Sequence, residues 1–145
     1  MTVKPCPLCE RVANAAKDPM LVAELETGVA VLFEHQFFRG YTLFISKRHA
    51  SELFELDAGW RARFLKEMTR VARAVHAAFK PRKMNYELLG NVVPHLHWHL
   101  IPRYADDPKP GAPIWEIEAG VREVKPSAAE AARLRDQILG HLCEA

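Results

Sequence analysis

The chain is poor in cysteine, has little net charge and contains no long apolar run. Its 145 residues include three cysteines, too few for a disulfide-stapled scaffold. No apolar stretch approaches the roughly 20 residues that a membrane-spanning helix needs, so no membrane role is expected. The 20 basic and 18 acidic side chains leave a net charge of +2 and are scattered along the chain. Duplex nucleic acid is therefore not an expected partner.

The N-terminal residues also lack the apolar core of a secretory signal, so a cytoplasmic location is expected. Apolar residues make up 49% of the chain and charged residues 26%, a balance typical of a folded globular protein. One core is usual at this length, because two cores would leave each half with little buried surface. The sequence therefore predicts a single domain over residues 1–145.

The hydrophobic pattern alternates between strand and helix periods. Short β-rich runs bounded by turn residues predict five strands. They lie at residues 20–25, 29–34, 41–46, 84–89 and 95–101. Apolar residues recur every three or four positions from the N-cap Asp57 to Pro81, which predicts one long amphipathic helix. A capping box at Ser127 and Glu130 predicts a C-terminal helix. The predicted class is α+β, an antiparallel five-stranded sheet with the long helix on one face.

Three of the seven histidines alternate along the last predicted strand, in the sequence His-Leu-His-Trp-His-Leu-Ile at residues 95–101. Side chains on a strand alternate between its faces, so the three imidazoles are expected on one face and the apolar residues on the other. Stacked polar rings contribute little to packing, which favours a functional site. A neutral imidazole is a competent nucleophile near pH 7, and a neighbouring ring can donate hydrogen bonds to a phosphoryl group.

This histidine pattern resembles the motif of the histidine triad (HIT) family, in which three histidines alternate with hydrophobic residues. The resemblance extends to the N-terminal Cys-x-x-Cys, to the Gly-x-x-Leu-Phe-Ile-Ser-Lys-x-His segment at residues 40–49 and to the Ile-Pro-Arg at residues 101–103. It covers residues 5–104, and the tail after residue 105 carries little of it. The resemblance implies a HIT-like fold and a nucleotide hydrolase or nucleotidyl transferase that acts at the α-phosphate of a nucleotide.

The resemblance also implies roles for individual residues. His97, the middle histidine, would attack phosphorus and form a nucleotidyl-histidine intermediate that water cleaves, and His99 would donate to the phosphoryl oxygens. Asn85 and Asn91 are expected to bind the phosphates, and Glu34 the ribose, since a carboxylate accepts from two vicinal hydroxyls. The expected substrates are dinucleoside polyphosphates or nucleoside 5′-phosphoramidates, adenosine 5′-phosphoramidate among them, and the expected assembly is a homodimer.

Two other functions remain open on the sequence alone. A nucleotidyl transferase or phosphorylase would use the same intermediate with another acceptor, and a nucleotide-binding adaptor would keep the site without turnover. The adaptor is favoured by two departures from the family pattern, where Tyr41 replaces a fourth histidine and Val92 replaces a hydroxyl residue. Loss of a hydrogen bond to a charged oxygen costs about 1.5–3 kcal/mol, which predicts slow turnover or an altered leaving group.

The Cys-x-x-Cys at Cys6 and Cys9 is on its own compatible with a zinc knuckle, a redox pair or chance. Some HIT proteins combine this motif with a histidine after the third strand and with the first triad histidine. The resemblance therefore implies a structural Zn²⁺ held by Cys6, Cys9, His49 and His95, a donor set of closed tetrahedral sites. A catalytic zinc on all three triad histidines is disfavoured, because the first and third lie about 13 Å apart along a straight strand.

Two surface features are also predicted. Exposed Trp60, Phe64 or the segment 114–116 is expected to supply the dimer interface. The Pro-rich segment 106–113 is expected to be a surface loop that, with Trp115, closes over the leaving group.

Overall fold

A computed structural model of the protein describes residues 5–144. The described chain has an α+β fold, in which five strands form one antiparallel sheet. The strands are β1 (Leu21–Glu24), β2 (Gly28–Leu32), β3 (Thr42–Ser46), β4 (Lys83–Glu87) and β5 (His97–Arg103). The helices are α1 (Pro7–Ala13), α2 (Ala58–Phe79), α3 (Ala119–Arg122) and α4 (Ala128–Cys143). The strand order is β1-β2-β3-β5-β4, so β5 lies between β3 and β4. This architecture confirms the predicted class.

The long helix α2 begins and ends where the sequence predicts. Asp57 is its N-cap, and the carboxylate accepts a hydrogen bond from the backbone N–H of Trp60 at 2.9 Å. Lys80 is the C-cap in the left-handed conformation, with φ of 48°, and Pro81 then stops the helix because it has no N–H to donate. α2 packs on one face of the sheet and α4 packs on α2. Within residues 5–144 no helix has both the length and the apolar character needed to cross a membrane.

The core between α2 and the sheet holds β5 in place. The rings of Phe44 on β3 and Phe64 on α2 stack with centroids 5.2 Å apart. Gly28 on β2 passes so close that an added Cβ would lie 2.4 Å from the Phe44 ring. Leu100 of β5 is fully buried in the same layer. Each such large apolar side chain contributes about 1.5–3 kcal/mol to folding by its burial. This packing fixes the position of β5, the strand that carries His97 and His99.

A second apolar layer covers the opposite face of the sheet. Val31 of β2, Ile45 of β3 and Ile101 of β5 are buried in it. Ile114 and Ile117, from the segment after β5, pack on these strands and belong to the same layer. The alternation along the last strand predicts a functional site on this face but no apolar layer, because the periodicity of one strand does not show which later segment covers it.

Several local predictions differ from the structure. β5 begins at His97 and ends at Arg103, so the predicted strand at residues 95–101 is displaced by two residues. Phe64 and Ile114 are 0% and 1% exposed, so the prediction that they lie on an exposed dimer surface is wrong. Both side chains face the sheet, one from each side. The short helices α1 and α3 were not predicted.

Candidate functional site

Two of the three triad histidines lie side by side on β5. His97 pairs with Ile45 of β3 and His99 pairs with Leu43. The two-residue spacing places both imidazoles on one face of the sheet, and their ring centroids are 5.0 Å apart. His99 is buried, whereas His97 is partly exposed. The His97 ring is therefore the more accessible of the two.

His95 lies just before β5 and has other partners. The regular pairing of β3 with β5 ends at His97, and the backbone N–H of Leu96 donates to the Ala50 carbonyl at 2.8 Å. The buried His95 ring donates from Nε2 to the Ser46 carbonyl at 2.8 Å. A carbonyl can only accept, so the neutral ring carries its proton on Nε2 and keeps a lone pair on Nδ1. Burial lowers the pKa of His95, which favours the neutral ring.

The His95 Nδ1 atom lies in a cluster of four metal-ligating atoms. Cys6 precedes α1, Cys9 lies in α1, and His49 follows β3. The two Sγ atoms and the two Nδ1 atoms all lie within 4.8 Å of one another. His95 Nδ1 is 3.4 Å from Cys6 Sγ and 3.5 Å from Cys9 Sγ. The two Nδ1 atoms are 3.2 Å apart, and Cys9 Sγ is 3.3 Å from His49 Nδ1.

These separations fit the edges of a tetrahedral zinc site. Zn–S bonds of about 2.3 Å and Zn–N bonds of about 2.0–2.1 Å place tetrahedral ligand atoms about 3.3–3.8 Å apart. His95 presents its unprotonated nitrogen to the cluster, as a metal ligand must. Burial and the neighbouring Cys6 raise the pKa of the Cys9 thiol, and a cation between the two sulfurs would favour both thiolates. The donor set therefore suits a closed Zn²⁺ site.

The His97 ring is oriented by the backbone. Its Nδ1 donates a hydrogen bond to the carbonyl oxygen of His95 at 2.6 Å. Because that oxygen can only accept, the neutral His97 ring carries its proton on Nδ1 and a lone pair on Nε2. The ring lines a cavity of about 310 Å³. This arrangement suits a nucleophile, since no proton has to leave Nε2 before it forms a bond.

His99 is held by Tyr41, the residue that departs from the family pattern. The Tyr41 hydroxyl and His99 Nδ1 share a hydrogen bond of 2.6 Å. Burial, with a smaller effect of the Glu87 carboxylate, raises the pKa of Tyr41. Burial and the nearby His97 lower the pKa of His99 to about 4, so His99 is neutral at pH 7. The Trp115 ring lies edge-on to His99, with centroids 6.0 Å apart.

The cavity beside the two histidines includes one predicted phosphate-binding residue. Asn91 and Val92 lie in the turn between β4 and β5, and both line the cavity together with His97, His99 and Trp115. Val92 is 94% exposed, and its side chain offers no hydrogen-bonding group to a ligand. Asn91 is therefore the residue of this turn that lines the cavity and has a polar side chain.

Asn85 does not line this cavity but a separate one, together with Arg103. The Arg103 guanidinium donates to Asn85 Oδ1 at 2.7 Å and to two carbonyl oxygens of the segment 106–113, each at 2.8 Å. Arg103 is buried and forms an ion pair with Asp107. Burial opposes ionisation of Asp107, but Arg103 holds the pKa of that carboxyl below its usual range. The Pro-rich segment is a loop, as predicted, and a buried arginine fastens it to the sheet.

Glu34 lines a different cavity from the one beside His97 and His99. It is exposed, follows β2 and lines a separate cavity of about 220 Å³ with Phe33, Tyr41 and Arg122. Tyr41 is hydrogen-bonded to His99, and Arg122 lies 5.1 Å from the centre of the Trp115 ring, so side chains that line the two cavities are in contact. The structure thus brings Asn91, His97 and His99 together and places Glu34 and Asn85 in neighbouring cavities.

Some residues of the site were not predicted. Glu87, which pairs with His99 across β4 and β5, accepts a hydrogen bond from the Trp115 indole N–H at 2.6 Å. The carbonyl of Ser46 fixes the His95 ring. The sequence carries no signal for these contacts, because Glu87 and Trp115 are 28 residues apart and neither forms a motif with the histidines.

The protein is thus a small α+β protein with two neighbouring imidazoles on one strand, next to four side chains that could hold a metal ion. The family model described as HIT domain matches residues 14–106. A relative from Bacillus subtilis (strain 168), called Protein hit, is 30% identical over 119 residues, which are 79% of this chain and 81% of the relative. The chain belongs to the HIT domain family, and this membership supports a nucleotide-binding, hydrolase-type function in general terms.

Solved structures of similar proteins have the same fold. A histidine triad protein from Bradyrhizobium japonicum is 25% identical with a TM-score of 0.74, and the match covers 90% of this chain and 95% of that one. A zinc-bound histidine triad family protein from Mycobacterium smegmatis is 24% identical with a TM-score of 0.70, covering 96% and 94% of the two chains. The sheet and helices described above are thus those of the histidine triad fold.

Proposed function

We propose that the protein is a nucleotide hydrolase that cleaves at the α-phosphate through a nucleotidyl-histidine intermediate on His97. The orientation of His97 carries the proposal: Nδ1 is bonded to the His95 carbonyl, so Nε2 is free to attack. His97 lines a cavity with His99, and membership of the HIT domain family supports a nucleotide as the substrate. The proposed substrates are dinucleoside polyphosphates and nucleoside 5′-phosphoramidates.

In the first half-reaction the Nε2 lone pair of His97 forms a bond to the α-phosphorus. The leaving group departs with the electron pair of the bond that joined it to phosphorus. A polyphosphate departs as an anion, whereas the nitrogen of a phosphoramidate takes up a proton from solvent and departs as the amine. The His97 ring becomes a cation that keeps its proton on Nδ1. The His95 carbonyl accepts the hydrogen bond from that N–H, and its partial negative charge stabilises the cation.

In the second half-reaction water attacks the phosphorus and the bond to His97 Nε2 breaks. The nucleoside monophosphate leaves, and the proton lost by the water passes to solvent. His99 is neutral and lies next to His97, so its free ring nitrogen is suited to donate to a phosphoryl oxygen as negative charge develops there. In this scheme His97 attacks the phosphorus and His99 stabilises the negative charge on the phosphoryl oxygen.

The three predicted substrate ligands remain proposals with different support. Asn91 is supported as a phosphate ligand because it lines the cavity of His97 and His99. Glu34 is proposed to hold the ribose hydroxyls from the adjoining cavity. Asn85 is proposed to reach a phosphate through its amide N–H groups, since its Oδ1 accepts from Arg103.

We propose that Cys6, Cys9, His49 and His95 hold a structural Zn²⁺. The ligand separations support the site, as does the zinc-bound relative from Mycobacterium smegmatis. Bound zinc would supply a fixed cross-link with no coordination position left for substrate. The zinc site would also affect catalysis indirectly. It would fix His95, and the carbonyl of His95 orients the His97 ring.

Rapid quenching followed by intact-protein mass spectrometry tests the proposed reaction. The protein is mixed at neutral pH with adenosine 5′-phosphoramidate or with a dinucleoside polyphosphate. Wild type is expected to gain the mass of one nucleotidyl group. His97→Ala is expected to gain none and to lose turnover by about a thousandfold or more, because the attacking atom is removed.

His76→Ala is the matched control, since His76 is an exposed histidine on α2 far in sequence from the triad. It should keep both the adduct and the turnover. Wild-type turnover in His97→Ala would contradict the role of His97, and no release of AMP from either substrate would contradict hydrolysis. Added phosphate distinguishes a transferase, which would form ADP in place of AMP.

A further inference from the structure

The hydrogen bond between Tyr41 and His99 has one donor, and burial decides which residue it is. If His99 donated from Nδ1, the phenolic hydrogen of Tyr41 would need another acceptor. Within residues 5–144 the Tyr41 hydroxyl is bonded to His99 alone, and the side chain is 2% exposed. An unpaired buried donor is unfavourable, so the arrangement with Tyr41 as donor is preferred.

The same arrangement sets the proton on the His99 ring. Burial and the Glu87 carboxylate raise the pKa of Tyr41, so its hydroxyl stays protonated and available as a donor near pH 7. Nδ1 of His99 then accepts through its lone pair. A neutral imidazole has one N–H and one lone pair, so the proton of His99 must be on Nε2.

We propose that Tyr41 is a positioning residue, which selects the Nε2-protonated tautomer of His99 and so presents an N–H to the phosphoryl group of the substrate. Among the described residues none is hydrogen-bonded to His99 Nε2, and the His99 ring lines the same cavity as His97. The N–H is therefore left for a ligand. The catalytic consequence rests on the proposed function, whereas the tautomer does not.

The turn before β3 holds the Tyr41 ring rigidly enough for this role. Phe33 packs on the ring with centroids 4.3 Å apart. The Gln36 amide donates to the carbonyls of Phe33 and Tyr41 at 2.8 and 2.9 Å and accepts from the Gly40 N–H at 2.9 Å. Gly40 has φ of 89°, and an added Cβ would lie 2.4 Å from the Phe79 ring, so glycine is required there. The hydroxyl is thus aimed at His99 by a fixed turn.

Nitrogen-15 chemical shifts of the histidine rings test the tautomer directly. Tyr41→Phe keeps the aromatic ring and removes the hydroxyl. Wild type at pH 7 is expected to show the Nε2-protonated pattern for His99, and Tyr41→Phe is expected to shift toward a mixture of tautomers. Tyr104→Phe is the matched control, because it removes another partly buried hydroxyl, which donates to the Arg39 carbonyl. The control should leave the His99 pattern unchanged.

An Nδ1-protonated His99 in wild type, or an unchanged His99 pattern in Tyr41→Phe, would overturn the proposal. Kinetics then separate positioning from a purely structural role. Tyr41→Phe is expected to lower kcat about tenfold or more while KM changes less than about twofold, and Tyr104→Phe should change neither. An unchanged kcat in Tyr41→Phe would refute the positioning role. If wild type releases no AMP, the proposed function fails, and the chemical shifts still decide the tautomer.

Discussion

The three histidines of the triad carry the same side chain, and their hydrogen-bond partners make them different. His95 donates from Nε2 to the Ser46 carbonyl, which leaves Nδ1 among the metal-ligating atoms. His97 donates from Nδ1 to a carbonyl, which leaves Nε2 for the substrate. His99 is bonded at Nδ1 to the phenol of Tyr41. In the proposed function, this choice of nitrogen divides the triad into a metal ligand, a nucleophile and a donor.

The buried His99 also makes folding stability depend on pH. Its pKa is about 4 in the folded protein against an ordinary value of 6.5, so the unfolded chain binds the proton more readily between these values. The contribution of neutral His99 is therefore complete above pH 6.5 and is lost as the pH falls toward 4. Between pH 7 and pH 4.5, wild type is expected to lose about 2–3 kcal/mol more free energy of unfolding than His99→Gln, as measured by urea denaturation.

Glutamine is chosen because its amide oxygen can still accept from Tyr41. His141→Gln, at an exposed histidine on α4, should follow the wild-type pH dependence. The prediction would be contradicted if the free energy of unfolding changed with pH in the same way in wild type and in His99→Gln.

Among the secondary-structure elements, the four side chains of the cluster connect α1 to the paired strands β3 and β5. Cys6 and Cys9 lie at the start of α1, His49 follows β3, and His95 precedes β5. α1 has seven residues and none of them is buried, and so short a helix is not stable alone. A metal at this cluster would hold α1 against the sheet and fix the chain where it enters β5.

Cys9→Ala is therefore expected to lose zinc and thermal stability together. Removal of one of four ligands opens the site, and structural zinc contributes to folding free energy. The zinc content is expected to fall well below one per chain and Tm by about 10 °C or more, as measured by metal analysis and scanning calorimetry. Cys143→Ala, at an exposed cysteine outside the cluster, is the matched control. Undiminished zinc and Tm in Cys9→Ala would refute the site.

At the scale of the whole molecule, β4 leaves one edge of the sheet open. Within the described residues β4 pairs only with β5, so its outer edge carries unpaired backbone groups. The strand begins with Lys83 and ends with Glu87, and Tyr86 is 46% exposed. Two antiparallel copies of this strand would bring opposite charges together and pair the free backbone groups. The homodimer that the family resemblance implies is therefore predicted to form at this edge.

Light scattering after gel filtration tests the assembly. Wild type is expected at about twice the chain mass of 16.5 kDa, and Tyr86→Asp is expected to shift toward the monomer because it adds a charge to the edge. Phe54→Asp, at a residue that is 77% exposed and lies before α2, should remain dimeric. A wild-type protein at the mass of one chain would contradict the proposal.

Local chemistry in the sequence was enough to predict several elements. Asp57 and Pro81 bound α2 as predicted, and Ser127 caps α4 by accepting from the Glu130 N–H. The HIT resemblance pointed to the Cys6 cluster, whose atoms the structure brings together. The predictions of a single domain and a cytoplasmic location stay predictions. Local chemistry succeeds here because caps and helix stops depend on neighbours in the chain.

Contacts between residues that are distant along the chain could not be predicted from the sequence. Asn85 was predicted as a phosphate ligand and stays one by prediction, but its hydrogen bond from Arg103 was not predicted. Phe64 was predicted as exposed, but it stacks on Phe44. In both cases the contact is made with a residue that is distant in sequence, and no local pattern shows which distant side chain will be the partner.

The sequence by itself determined the alternating histidines, the Cys-x-x-Cys and the order of the five strands and the two long helices along the chain, because these follow from residue type and spacing. Only the tertiary structure decided which ring nitrogen of His95 and of His99 is free. His95 and the Ser46 carbonyl are 49 residues apart, and His99 and Tyr41 are 58 apart. A histidine's tautomer depends on the partner that its other nitrogen meets, and these partners meet only after the sheet has formed.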